Sequence, residues 1–200
     1  MQACSIADLV ADVGSVADKL SSKPVVIGHS LGGFIVQKYL ESYDAPAGVL
    51  LAPIPSRGAG GFLLREAKRH PFNLLRAIVT TKSLRWFNTP TLAREHFFSP
   101  ETSESDVARY AARLDEEYVG RLWLDAALLN LPKTERVTTP MLILGAACDG
   151  CFTTGEMHAT ARAYRTGAEI VPDMGHDMML EPKWAVVAER IHAWLGTHGL

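Results

Sequence analysis

Pro24-Val25-Val26-Ile27-Gly28-His29-Ser30-Leu31-Gly32-Gly33-Phe34-Ile35-Val36 decides how this chain is read. A short β-branched apolar run leads into a G-x-S-x-G turn, and Phe34, Ile35, Val36, Tyr39 and Leu40 continue as an apolar helix. A buried strand passing sharply into a helix is the context that gives such a turn meaning. A serine at the tip sits in a sparsely populated backbone region, where flanking side chains would collide. Glycines at 28 and 32 are read as removing Cβ atoms that would clash, and Gly33 as letting the helix lie close to the sheet. The helix N-terminus brings backbone N–H groups and the positive end of its dipole to Ser30.

A serine activated in this way needs a histidine and an acid, and two later segments offer them. Thr139–Gly145 reads as a second buried strand, closed by a polar turn carrying Asp149. Ala168–Pro172 reads as a third, closed by Met174-Gly175-His176-Asp177. Both candidates follow the carboxyl ends of strands, where open α/β sheets bind ligands. In chain order, Ser30, Asp149 and His176, the chain resembles the α/β-hydrolase superfamily. Small esterase- and lysophospholipase-like members, with G-H-S-x-G-G and a late G-H-D-M-M-L-E-P stretch, are the nearest likeness. It spans nearly all of the chain, strongly at 24–40 and 139–195 and by helical character alone between them.

The resemblance implies an α/β fold, mostly parallel strands flanked by helices, with a helical lid inserted in the core. Residues 1–56 and 137–200 would form the core and 57–136 the lid. One helical pattern (Ile6, Leu9, Val10, Val13, Val16, Leu20) precedes the Ser30 turn, where the family places several strands and an H-G-type loop. The expectation is therefore the C-terminal two-thirds of a hydrolase, with the elbow strand as an open sheet edge through which chains could self-associate. Val49–Ala52 reads as another strand, Ser56–Gly61 as a flexible hinge, and Trp184 to Leu195 as a final amphipathic helix.

The implied chemistry is acyl transfer. His176 takes the Ser30 proton, Asp149 orients His176, and the Leu31 N–H donates to the oxyanion. Asp173 and Asp177 flank the histidine and are the competing acids, while His29 reads as a structural neighbour. A serine at the turn separates the chain from the dehalogenase and epoxide-hydrolase branches, which resemble it but carry aspartate there. The expected substrate is a small-molecule or lipid-like carboxylic ester with a hydrophobic acyl group. A non-catalytic remnant of a hydrolase, or a cofactor-free haloperoxidase or acyltransferase with the same triad, remain open.

Other features bound the answer. The formal net charge is −2, from 20 Lys and Arg against 22 Asp and Glu, which gives no footprint for nucleic acid. No apolar run approaches the roughly 18 residues of a membrane span. The N-terminus carries Asp8, Asp12 and Asp18 rather than a basic start and an apolar core, so no signal peptide is read and a reducing cytoplasm is the expected compartment. Three cysteines make no disulfide framework. Cys148-Asp149-Gly150-Cys151 is a C-x-x-C, with His158 as a conceivable third zinc ligand, but no second pair is spaced for a metal and none is expected, nor any cofactor.

The candidate lid begins with Arg57, Arg65, Lys68, Arg69, Arg76, Lys82 and Arg85, opposed only by Glu66. Its other face carries Phe62, Leu63, Leu64, Phe72, Leu74, Leu75, Ile78 and Val79. Contact with an anionic lipid surface is one reading; a solvated face over a core-facing stripe is the commoner one. The balance reverses at Glu101, Glu104, Asp106, Asp115, Glu116 and Glu117.

Overall fold

Buried apolar runs in this chain become parallel strands, because each is separated from the next by helix and parallel neighbours need such crossovers. In the computed structural model, which describes residues 4–80, 87, 89–114 and 120–200, β1 (Val26–His29), β2 (Gly48–Leu51), β3 (Met141–Ala146) and β4 (Ala168–Val171) lie in that order in one sheet. All three pairings are parallel, with Gly28 opposite Leu50, Leu50 opposite Ile143 and Ile143 opposite Ala168. β2 and β3 are buried along their whole length, as expected of strands covered on both faces.

Side-chain alternation sorts the sheet residues onto two faces. Val26, Leu50 and Ile143 meet Val36, Tyr39 and Leu40 at the end of α2 (Leu31–Tyr39), together with Ala161 and Tyr164 at the end of α8 (Thr154–Ala163). Val10 and Val13 of α1 (Ile6–Ala17) pack on the same side. Val49, Leu51, Leu142 and Leu144 face the other way, toward Val187, Ile191 and Trp194 of α9 (Trp184–Thr197). Helix starts follow local chemistry: Ser5 with Asp8, and Thr153 with Glu156, form capping boxes on α1 and α8. Among the described residues β1 pairs only with β2, and Ile27 on this edge is 51% exposed.

Between β2 and β3 run α3 (Gly60–Arg69), α4 (Pro71–Thr80), α5 (Pro90–Phe97), α6 (Glu104–Ala111) and α7 (Gly120–Leu124), followed by a π-turn at Asp125–Leu129. Pro71 and Pro90 open helices rather than break them, since the missing N–H is harmless at a first turn. Lys82, Arg85, Asp115, Glu116 and Glu117 lie outside the described residues. No described helix is long and apolar enough to cross a membrane.

Three sequence expectations change here. The Ser56–Gly61 stretch is not a loose hinge: Ser56, Gly58 and Ala59 are buried, and the Ala59 N–H donates to Ala126 O. Gly58, at φ +84°, passes so close to the Ala126 carbonyl that a side chain would not fit. The apolar face of α3 and α4 is split, with Phe62 buried while Leu64, Phe72, Leu75 and Val79 are exposed. Glu66 does not offset the basic face but is buried, 3.1 Å from His96.

The turn glycines also differ from one another. A Cβ on Gly28 would stand 2.7 Å from Gly33 N and nearer still to the Gly32 carbonyl. One on Gly33 would meet Pro53 Cβ at 2.7 Å and the β1 carbonyl of Gly28 at 3.1 Å. One on Gly32 would meet nothing within 4 Å, contrary to the clash expected there. Gly28→Ala is therefore expected to cost about 2–3 kcal/mol, lowering Tm by roughly 4–12 °C, whereas Gly32→Ala leaves Tm within a degree or two. Thermal unfolding of the two variants checks this, and equal losses would remove the steric explanation.

Candidate active site

Ser30 sits between β1 and α2 at φ 52°, ψ −116°, a conformation that an L-residue holds only when its surroundings force it. They do. Its N–H donates to Leu51 O on β2, and its carbonyl accepts from Phe34 N and Ile54 N. The side chain is left at the carboxyl edge of the sheet, and the Leu31 N–H opens α2 beside it, where a first-turn donor has no helical acceptor.

His176 follows β4, and its backbone is fixed from three sides. The His29 Nε2–H donates to His176 O at 2.9 Å, Gly175 N donates to Glu181 Oε1 at 3.1 Å, and Asp177 N donates to Phe97 O at 3.0 Å. The ring is 2% exposed, enclosed by Phe152 at 5.5 Å, Phe97 at 5.9 Å and His29 at 4.7 Å between ring centroids. Ser30 Oγ donates to His176 Nε2 at 2.9 Å, and His176 Nδ1–H donates to Asp149 Oδ2 at 2.9 Å.

Asp149 follows β3. Its other oxygen, Oδ1, accepts from Cys151 N at 2.7 Å and Phe152 N at 2.9 Å, so the loop folds around the carboxylate. The loop is pressed against α5: Gly150 N donates to His96 O at 3.2 Å, and a Cβ on Gly150 would stand 2.7 Å from His96 Cα. The competing acids go elsewhere. Asp173 lies 3.5 Å from Lys183 Nζ, and Asp177 Oδ1 lies 3.7 Å from His29 Nε2.

The electrostatics separate the two histidines. Burial alone would lower His176, but the facing Asp149 carboxylate outweighs it and raises the ring above its usual 6.5. His29, desolvated and beside His176, is lowered to about 4 and stays neutral. Burial pushes Asp177 up to about 6, against the pull of His176. Cys148 is exposed and Cys151 buried, both as free thiols. Burial and nearby carboxylates hold the Cys151 thiol well above its usual range, the opposite of a reactive cysteine. His158 is exposed and shares no ligand cluster with them among the described residues.

Ser30, Asp149 and His176 are thus brought together from three strand ends. The sequence reading gave no role to Glu181, which is 1% exposed and accepts from Ser99 N, Ser99 Oγ, Thr102 Oγ1 and Gly175 N. It ties the α5–α6 connection to the turn before His176. An acidic residue inside the late G-H-D-M-M-L-E-P run was its only visible signal.

This chain belongs to the alpha/beta hydrolase family, whose model matches residues 3–190. Among solved structures it is similar to a Mycobacterium tuberculosis protein (20% identity, TM-score 0.70, 98% of this chain and 74% of that one). It is also similar to a thermophilic esterase (19%, 0.68, 100% and 76%) and to a monoacylglycerol lipase from Paleococcus ferrophilus (18%, 0.66, 98% and 76%). Comparison with curated proteins gives no match.

Imidazole NMR titration reads the electrostatics directly. His176 is expected to titrate above 6.5 and His29 near 4. In Asp149→Asn the burial effect is left unopposed, so His176 should fall below 6.5. An unchanged His176 in that variant would show that its charge is not held by Asp149.

Proposed function

We propose that this chain is a serine-dependent hydrolase of carboxylic esters with hydrophobic acyl groups. The observation that carries the reading is the relay from Ser30 through His176 to Asp149, with both contacts at 2.9 Å and the serine held at a strained turn. Ser30 Oγ attacks the ester carbonyl carbon while His176 Nε2 takes its proton, giving a tetrahedral oxyanion that accepts from the Leu31 N–H. The imidazolium, held by Asp149, then gives the proton to the departing alcohol as the C–O bond breaks. Water repeats the two steps on the acyl-enzyme, releasing the acid and restoring Ser30. The scheme uses only protein groups and water.

The acyl preference rests on the surroundings. Phe97 and Phe152 flank His176. Phe97 also lines a mainly apolar cavity of about 220 Å³ together with Phe98, Tyr110, Leu114, Leu180 and Asp177, the residue after His176. Helices α3 and α4 would act as the lid, with Leu64, Phe72, Leu75 and Val79 exposed to meet a long chain or a lipid surface.

A fluorophosphonate should label Ser30 and no other serine, as mapped by peptide mass spectrometry; an adduct elsewhere removes the assignment. Ser30→Ala and His176→Ala should each abolish nearly all turnover without adding. Asp149→Asn should lower kcat by roughly 10⁴-fold, and Asp173→Asn by less than tenfold. A severe Asp173→Asn beside a mild Asp149→Asn would move the acid.

The lid assignment has its own measurement. Leu75→Ser and Phe72→Ser alter exposed positions, so the fold and acetate-ester hydrolysis should persist while kcat/KM on long-chain esters drops several-fold. Equal losses on both substrates would mean that α4 has no part in substrate selection.

A further inference from the structure

The structure assigns a second polar centre, away from Ser30, to a divalent transition-metal ion: we propose that Glu66, His70 and His96 bind Zn²⁺. Glu66 and His70 stand one turn apart at the end of α3, and His96 comes from α5. Each offers a ligand atom, and these atoms all lie within 4.8 Å of one another. The site is empty.

What points to a cation is the state of the buried atoms. Glu66 is 1% and His96 0% exposed, yet among the described residues both Glu66 carboxylate oxygens and His96 Nε2 lack a hydrogen-bond partner. Leaving such groups unsatisfied is expensive. His96 Nδ1–H donates to Leu92 O at 2.8 Å, so in the neutral ring the Nε2 lone pair faces the Glu66 carboxylate 3.1 Å away. Two acceptors in that position need a positive centre between them. A proton would serve one contact and leave the second Glu66 oxygen bare, whereas a metal ion can take the carboxylate and both imidazoles at once.

The spacing and support fit. Donors about 2.0–2.1 Å from a tetrahedral zinc are separated by about 3.3 Å, close to the Glu66–His96 distance. The Glu95 carboxylate lies 3.0 Å from His70 Nε2 by both oxygens, orienting that ring as outer-shell carboxylates do beside metal-bound imidazoles. Two imidazoles and a carboxylate suit Zn²⁺ better than the oxygen-seeking Mg²⁺ or Ca²⁺. Phe62 and Phe87 pack against His96 at 6.3 and 5.0 Å between centroids, while the His70 side chain, 24% exposed, leaves a way in. Because His96 O also holds Gly150 of the acid loop, an ion here would pin α3 and α5 against the element that carries Asp149.

The test uses the full chain stripped with a chelator and titrated with Zn²⁺ by calorimetry, then with Co²⁺ to read its visible bands. One Zn²⁺ per chain with a Kd below micromolar is expected. At about 100-fold excess over Kd, Tm should rise by roughly 5–10 °C. Co²⁺ should give the intense bands of a four-coordinate N/O site. His70→Asn and His96→Gln should each weaken binding at least tenfold and dim the bands, while His176→Gln and the exposed His158→Asn leave both unchanged. His70→Asn, at a partly exposed position, carries the test if His96→Gln fails to fold. Absence of stoichiometric binding in the wild type would overturn the assignment. So would binding that survives both His70→Asn and His96→Gln, or that is lost in His176→Gln, which would place the ion at the Ser30 centre.

Discussion

The backbone of Ser30 is the constraint on which the rest depends. Its conformation costs on the order of 1–3 kcal/mol by itself and survives because three hydrogen bonds over-determine it: to Leu51 O, from Phe34 N and from Ile54 N. Those partners belong to β2, to the first turn of α2 and to the segment leaving β2. Loosening any of them would let the turn relax and swing the Ser30 hydroxyl away from the His176 imidazole. The same geometry dictates the absence of a side chain at Gly28, whose Cβ would enter the first turn of α2. Local strain, sheet pairing and the position of a single oxygen atom are one problem with one solution.

The helical segment between β2 and β3 does more than cover the site. Its α5 end supplies three backbone anchors to the core loops: His96 O for Gly150 N, Phe97 O for Asp177 N, and Ser99 N for Glu181. These bonds tie the loops that carry Asp149 and His176 to α5, in addition to the bond from Cys148 N to Met174 O that joins the two loops to each other. Further out, Arg65 bridges to Glu156 and Cys151 O, and Asp125 accepts from Ile6 N and from Arg121. Exposed α4 and the tightly bound α5 therefore make different contacts, a difference that a single segment running from residue 57 to 136 does not express.

How much of this was legible follows from the range of each signal. The four strands were readable because parallel strands between helices are short, largely apolar runs, of which β2 and β3 are buried along their whole length. Ser30, Asp149 and His176 were readable because each follows such a run. The buried Glu66–His96 contact and the bonds that Glu181 accepts from Ser99 and Thr102 were not, since they join positions 30 and about 80 residues apart and leave no local pattern. The α4 stripe stays open in the sequence for a related reason: periodicity shows that Phe72, Leu75 and Val79 share a face, but not whether another element lies against it. Gly32 was over-read, because a glycine-rich turn does not say which glycine is sterically required.

The paired histidines show how one fold gives identical side chains opposite states 4.7 Å apart. Both rings are largely desolvated, which favours the neutral form of each. His176 faces a carboxylate that is itself fixed by two N–H donors from Cys151 and Phe152, so Asp149 cannot turn away and its charge stays aimed at Nδ1. His29 has no such partner in contact; its nearest carboxylate, Asp177, is 3.7 Å off and is itself pushed up to about 6. The neutral His29 spends its Nε2–H on the His176 carbonyl and so fixes the backbone of the ring beside it. A second imidazolium there would repel a charge on His176, so a neutral His29 leaves the Asp149 carboxylate free to raise the His176 ring without opposition from its neighbour.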